Sequence, residues 1–147
     1  MTLNEALIRQ TFLSKLVLKN NDNELEKGTK VSVMKTRIEL NKLRTEFDED
    51  CQKAVEELKT EEFNTLLEKQ DRTEEEEKTF LNLNNQLQEE YNAYLVERGK
   101  EEVTFDKKFT EEEYFDIVNV NTNEVEINGN KIPAEDFLEI FYTLFVE

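Results

Sequence analysis

The sequence predicts a mainly α-helical chain: a long antiparallel helical hairpin of coiled-coil type, with an N-terminal helix before it and a small β-hairpin plus C-terminal helix after it. Three observations carry this. Only three glycines and one proline occur in 147 residues, so breakers are scarce and the elements must be few and long. Two apolar series, Leu40, Leu43, Phe47, Cys51, Ala54, Leu58 and Phe80, Leu83, Leu87, Tyr91, Tyr94, advance by threes and fours, the spacing of one helix face. Apolar and charged residues each make up 37%, which suits a narrow seam between helices better than a thick sandwich.

The first element is "TLNEALIRQTFLSKLVLK". Thr2 and Glu5 have capping-box spacing, and Leu3, Leu7, Ile8, Phe12, Leu16 and Val17 form a broad apolar face. "NNDNELEKG", residues 20–28, reads as a connection. It is not a calcium loop, because an EF-hand needs glycine at its sixth position and counting from Asp22 puts Lys27 there. From Thr29 to Lys59 nothing interrupts helix. Residues 60–72 form a link whose Phe63, Leu66 and Leu67 pack it down as a short helical turn. Thr73 and Glu76 then open the second long helix as another capping box.

Matching seams and a short link predict an antiparallel hairpin over 29–102. Setting Phe47 opposite Tyr91 puts Cys51 near Leu87 and Leu58 near Phe80. The same register brings Lys35, Arg37, Lys42 and Arg44 toward Glu97, Glu101 and Glu102. Beyond Gly99 the pattern changes. Thr110 and the three glutamates after it start a helix of about one turn. Ile117–Val120 and Val125–Ile127 read as short strands joined by Asn121–Asn123, and Ile132 as a third. Asn128-Gly129 marks a tight turn, since both tolerate positive φ. Pro133 suits the first position of a last helix, Glu135 and Asp136 its positive end, and Phe137, Leu138, Phe141, Leu144 and Phe145 its apolar face. The chain thus divides into 1–28, 29–102 and 103–147, one structural unit overall.

Chemistry is not declared by this inventory. There is no histidine, hence no usual base, triad or common zinc ligand. Cys51 lies in a helix seam with nothing to activate it, and reads as a small buried apolar residue. Glu74–Glu77 and Glu111–Glu113 are consecutive, so they point around a helix rather than at one ion. The three glycines are isolated and make no phosphate loop. No catalytic, cofactor-binding or metal-binding residue is expected, and no enzymatic activity. One cysteine permits no internal disulfide and fits a reducing compartment.

The net charge of −16 is uneven: residues 1–70 hold 14 acidic and 12 basic side chains, residues 71–147 hold 21 and 7. Phosphate backbones need Lys and Arg, so direct nucleic-acid binding is not expected, nor is an anionic membrane. No stretch approaches the roughly 20 apolar residues of a membrane span, and no charged-then-apolar signal opens the chain. The expected partners are other proteins with a basic or apolar docking surface, a homo-oligomer being one form of such contact. In "FLEIFYTLFV", Ile140 and Tyr142 add apolar surface outside the main stripe, so the helix must be covered on several sides. Either the N-terminal helix or a partner covers it, and Phe137, Phe141, Tyr142 and Phe145 are the candidate interface anchors.

"MKTRIELNKLRTEFDEDCQKAVEEL", "LNNQLQEEYNAYLVERGKEEVTFDKKF" and the short aromatic C-terminal helix together resemble small uncharacterised helical-hairpin proteins encoded by tailed bacteriophages, over roughly residues 30–115. That resemblance implies a virion or assembly component, located in the virion or host cytoplasm; without it the expectation is cytoplasmic. The expected function is a non-enzymatic structural or assembly protein acting by protein–protein contact. The alternatives are an acidic DNA-mimic inhibitor of a nucleic-acid-binding protein and a chaperone-like helical hairpin similar to prefoldin subunits.

Overall fold

A computed structural model describes residues 1–106 and 108–146. The fold is mainly helical with two small antiparallel strand pairs, as the sequence predicts. In chain order the elements are α1 (Leu3–Ser14), β1 (Lys19–Asn20), β2 (Asn23–Glu24), α2 (Lys27–Leu58), α3 (Glu61–Glu68), α4 (Glu74–Gly99), α5 (Glu111–Val120), β3 (Val125–Ile127), β4 (Asn130–Ile132) and α6 (Ala134–Phe145). They form two compact units, Met1–Arg44 with Glu102–Glu147, and Thr45–Glu101. α2 contributes its first part to one unit and the remainder to the other.

In the first unit the ends of the elements follow local chemistry. Thr2 accepts from the Glu5 N–H while the Glu5 carboxylate accepts from the Thr2 N–H, so both capping-box bonds open α1. Between β1 and β2 the chain turns at Asn21, with φ of 55°. α2 therefore begins at Lys27, and Gly28 lies within its first turn rather than closing the connection. Its start is held from a distance: the Asp116 carboxylate accepts from the Glu26 N–H at 2.8 Å. At the other end of the unit, Asn128 (φ 52°) and Gly129 (φ 79°) make the tight turn of the β3–β4 hairpin, with Ile127 paired to Asn130.

One strand expectation fails. Ile117–Val120 belongs to α5, a full helix rather than a single turn. Thr110 and Glu113 close a complete capping box, and Ile117 and Val120 lie three apart on the same buried side. Short apolar runs do not by themselves separate strand from helix, and the cap decides here. Asn121 ends the helix with its side chain: its amide oxygen accepts from the Val17 N–H (2.8 Å), and its amide nitrogen donates to the carbonyls of Val17 and Ile117. Pro133 sits at the N-cap of α6, one place before the first helical residue.

The core of this unit is aromatic. Phe137, Phe141 and Phe145 of α6 are fully buried, with centroid distances of 6.3 and 4.6 Å along the helix. Phe12 stacks on Phe137 at 5.5 Å, Phe109 meets both Phe141 and Phe145, and Phe105 meets Phe145 edge-on. Val33 and Leu40 of α2 and Leu13 of α1 complete the same cluster. Two of the four cations expected opposite Glu97, Glu101 and Glu102 are engaged elsewhere. Arg37 donates to the Leu13 and Leu16 carbonyls at the end of α1, and Arg44 to Gln10, the Leu7 carbonyl and Thr11.

In the second unit, the end of α2 runs antiparallel to α4, but not in the expected register. Tyr91 lies beside Cys51, which was expected beside Leu87. Asp50 pairs with Arg98 at 2.9 Å, and Leu58 lines a small cavity with Leu83 and Leu87. The reason is α3. It is a full helix capped by Thr60, and its Phe63 stacks on Phe80 at 5.2 Å, taking the place assigned to Leu58. Arg72 lies over the Phe80 ring, 4.2 Å from its centroid, and reaches Glu77 at 3.3 Å. Only Cys51, Phe63 and Leu66 are buried apolar side chains among the described residues of this unit, the narrow seam that the composition implies.

Two outcomes are expected from equilibrium urea unfolding. Phe141→Ala lowers stability by about 3–5 kcal/mol, because the column of rings leaves no slack to refill the cavity. Phe115→Ala, at a side chain 62% exposed, changes it by under about 0.5 kcal/mol. Equal effects from the two would contradict the placement of the core.

A pH effect follows from the cap of α4. Glu76 is held below the ordinary carboxylate value, first because Lys69 donates to it at 2.6 Å and then because the Thr73 N–H does. A carboxylate depressed in the folded state stabilises above its unfolded value and loses that contribution as pH falls through the folded one. Glu76→Gln is expected to reduce the loss of urea midpoint between about pH 5 and 3. An unchanged acid limb would remove Glu76 from that linkage.

Candidate protein-interaction surface

Three of the four aromatic anchors expected from the sequence are not on a surface. Phe137, Phe141 and Phe145 each have 0% exposure, and a partner reaches them only if the unit unfolds. The physical reason is supplied by α1 and the segment before α5. Phe12, Phe105 and Phe109 cover the aromatic face of α6 from within the chain. Tyr142 is half-buried at the margin. Its hydroxyl donates to Glu111 at 3.2 Å and its ring meets Tyr114 edge-on at 5.0 Å. The Glu111 carboxylate, disfavouring a phenolate beside it, holds Tyr142 above the ordinary phenol value. Tyr114, which donates to the Leu138 carbonyl, is raised first by burial and then by Tyr142.

A different surface has the character of a contact site. α2 is apolar on two sides. One row, Val33, Thr36 and Leu40, is buried in the core of the first unit. The other, Val31, Met34 and Ile38, has the same helical spacing but is 41, 52 and 69% exposed. Around it stand Lys27, Lys35 and Lys42, exposed and without an ion pair among the described residues. On a helix of 3.6 residues per turn, all six positions fall within an arc of roughly 100°. Residues 27–44 carry six basic side chains and one acidic, in a chain of net charge −16.

Sequence periodicity pointed past this row because it began the seam at Leu40. The signal was present in "VSVMKTRIEL", where apolar residues fall on two opposite sides of the helix. A helix of that kind is covered on both sides. Phe115, also unanticipated as a surface residue, lies on α5 with Glu111, Glu112 and Asn119 exposed beside it.

Other chemistry is thinly represented. Among the described residues no three His, Cys, Asp or Glu side chains are placed to hold a metal ion. Glu76 and Glu113 are occupied as capping residues. Cys51 is buried beside Tyr91, which burial and then the neighbouring Cys51 raise above the ordinary phenol value. No helix of the described residues is long and apolar enough to cross a membrane.

These features define a mainly helical protein with an aromatic-cored unit and an exposed cationic, apolar helix face. In comparisons with known proteins, no family model, no curated protein and no solved structure matches the chain.

The Tyr142–Glu111 contact gives a direct check on the placement of α5 against α6. Glu111→Gln removes the negative charge that opposes ionisation, so the Tyr142 phenol is expected to titrate at lower pH than in the wild type. NMR of ring-labelled tyrosine through the alkaline range reads this. A Tyr142 titration unmoved by the substitution would contradict the contact.

Proposed function

We propose that the protein is a non-enzymatic structural or assembly component that works through protein–protein contact, with the exposed face of α2 as its contact site. One observation carries this: Val31, Met34 and Ile38 stand in solvent on the side of α2 opposite its core row. A contiguous exposed apolar row rimmed by charge is the character of an interaction site. Helix-in-groove or helix-on-helix recognition uses such i, i+3, i+7 anchors. The resemblance of residues 30–115 to tailed-phage hairpin proteins supports a more specific form of this reading, a component of a phage particle.

An acidic inhibitor imitating DNA is the rival class, and the excess of 21 acidic over 7 basic residues in 71–147 favours it. Salt separates the two, because a partner held by carboxylates is released by moderate salt whereas apolar contact persists.

Affinity capture from the native source tests the proposal, using wild type, Met34→Asp and Ile38→Asp. The expected result is a protein partner retained at high salt by the wild type and lost, by about tenfold or more in affinity, from both variants. Both sites are exposed, so far-ultraviolet circular dichroism should be unchanged. If the stable partners were DNA-binding enzymes released by moderate salt and indifferent to both substitutions, the contact role of α2 would be refuted.

A further inference from the structure

We infer that the occupant of the α2 face is a second copy of this chain, docked through the Phe115 face of its α5. This assignment rests on the contact role of α2 proposed above and names its partner. The two faces are complementary in shape of chemistry as well as in sign. α2 offers Val31, Met34 and Ile38 with Lys27, Lys35 and Lys42 around them, and none of these six is acidic. α5 offers Phe115, 62% exposed, with Glu111 and Glu112 one turn before it and Asn119 one turn after, and α5 contains no Lys or Arg. An exposed aromatic is the kind of side chain that anchors an interface when it enters an apolar site. Its flanking carboxylates find ammonium groups at the rim of that site.

Other occupants fit less well. Pairing the α2 face with itself across a twofold axis sets lysine against lysine. A nucleic acid or anionic lipid surface meets the lysines but is repelled by the rest of a chain of charge −16. A second copy carries the same net charge, and the difference lies in range. At about 0.15 M salt the Debye length is about 8 Å, so the long-range repulsion between copies is largely screened while contact-range pairs persist. Self-association is therefore expected to strengthen as salt rises from about 10 mM, where screening extends to about 30 Å, to about 150 mM. A polyanion would be released over the same range.

Sedimentation equilibrium on the full chain at about 0.15 M salt tests this with opposite charge reversals. Lys35→Glu with Lys42→Glu makes the α2 face acidic; Glu111→Lys with Glu112→Lys makes the α5 face basic. Wild type is expected to associate reversibly, and each double variant alone to show a dissociation constant raised about tenfold or more. An equimolar mixture of the two is expected to regain association, since each acidic α2 then meets a basic α5. Ile38→Asp and Phe115→Ser are each expected to shift the equilibrium to monomer. Glu112→Lys alone replaces the double reversal if loss of the Glu111–Tyr142 bond disturbs folding.

The proposal is overturned if wild type stays monomeric up to about millimolar concentration, if the mixture associates no better than its parts, or if association is stronger at 10 mM salt than at 150 mM. A monomeric wild type that still captures a partner through Ile38 would sink self-association alone. Indifference of both self-association and capture to Ile38→Asp would sink the contact role of α2 as well.

Discussion

The first unit of this protein is organised by one column of phenylalanine rings. Phe137, Phe141 and Phe145 recur every four residues along α6, and all three are excluded from solvent. A twelve-residue helix with such a face has no independent stability in water and must be covered. Phe12, Phe105 and Phe109 supply the cover from distant parts of the sequence, so the N-terminus, the segment before α5 and the C-terminal helix are drawn to one place. Each ring contributes on the order of 1.5–3 kcal/mol by leaving water, with a further part from edge and offset contacts. Much else in the unit follows. The β3–β4 hairpin and Pro133 turn the chain so that α6 brings this column against Phe12, Phe105 and Phe109.

Burying helix ends around the column creates a second requirement, since terminal carbonyls lose water and lack partners within the helix. Side chains meet it. Arg37 binds the carbonyls at the end of α1, and Arg9 donates to the Leu144 carbonyl of α6 at 3.1 Å. The Phe109 N–H donates to the Phe145 carbonyl at 2.8 Å, next to the bridge from Phe109 to Val146. Asn121 satisfies both backbone groups of Val17. Bonds of this kind outweigh the surface ion pairs, which are worth about 0–1 kcal/mol each. Their cationic donors are therefore diverted from the carboxylates that simple charge matching would give them.

With the aromatic helix turned inward, the capacity for contact lies elsewhere. α2 has two apolar rows of the same spacing, and the core needs only one. The other stands exposed among lysines on an otherwise acidic protein. Local electrostatics and net charge then act over different ranges. The first is effective at contact distance, while the second is damped by salt beyond about 8 Å. A protein of charge −16 thereby presents one exposed face that is cationic and apolar.

Particular residues show how far the sequence alone reached. The capping boxes at Thr2 and Thr73, the helix start at Thr110, the helical periods, and the Asn128-Gly129 turn were all legible, because each depends on residues within four positions of one another. The helical class and the C-terminal β-hairpin plus helix follow from them. What crosses longer distances was not legible. The hairpin register moved because Phe63 of α3 claims Phe80, and Ile117–Val120 became helix because the Thr110 cap and two buried positions acted together. Phe137, Phe141 and Phe145 were read as anchors for a partner, since apolarity marks a side chain for burial without naming what will bury it. Only the tertiary structure decided that: Phe12, Phe105 and Phe109, far away in sequence, reach α6 first. The same competition for a finite core left Val31, Met34 and Ile38 outside.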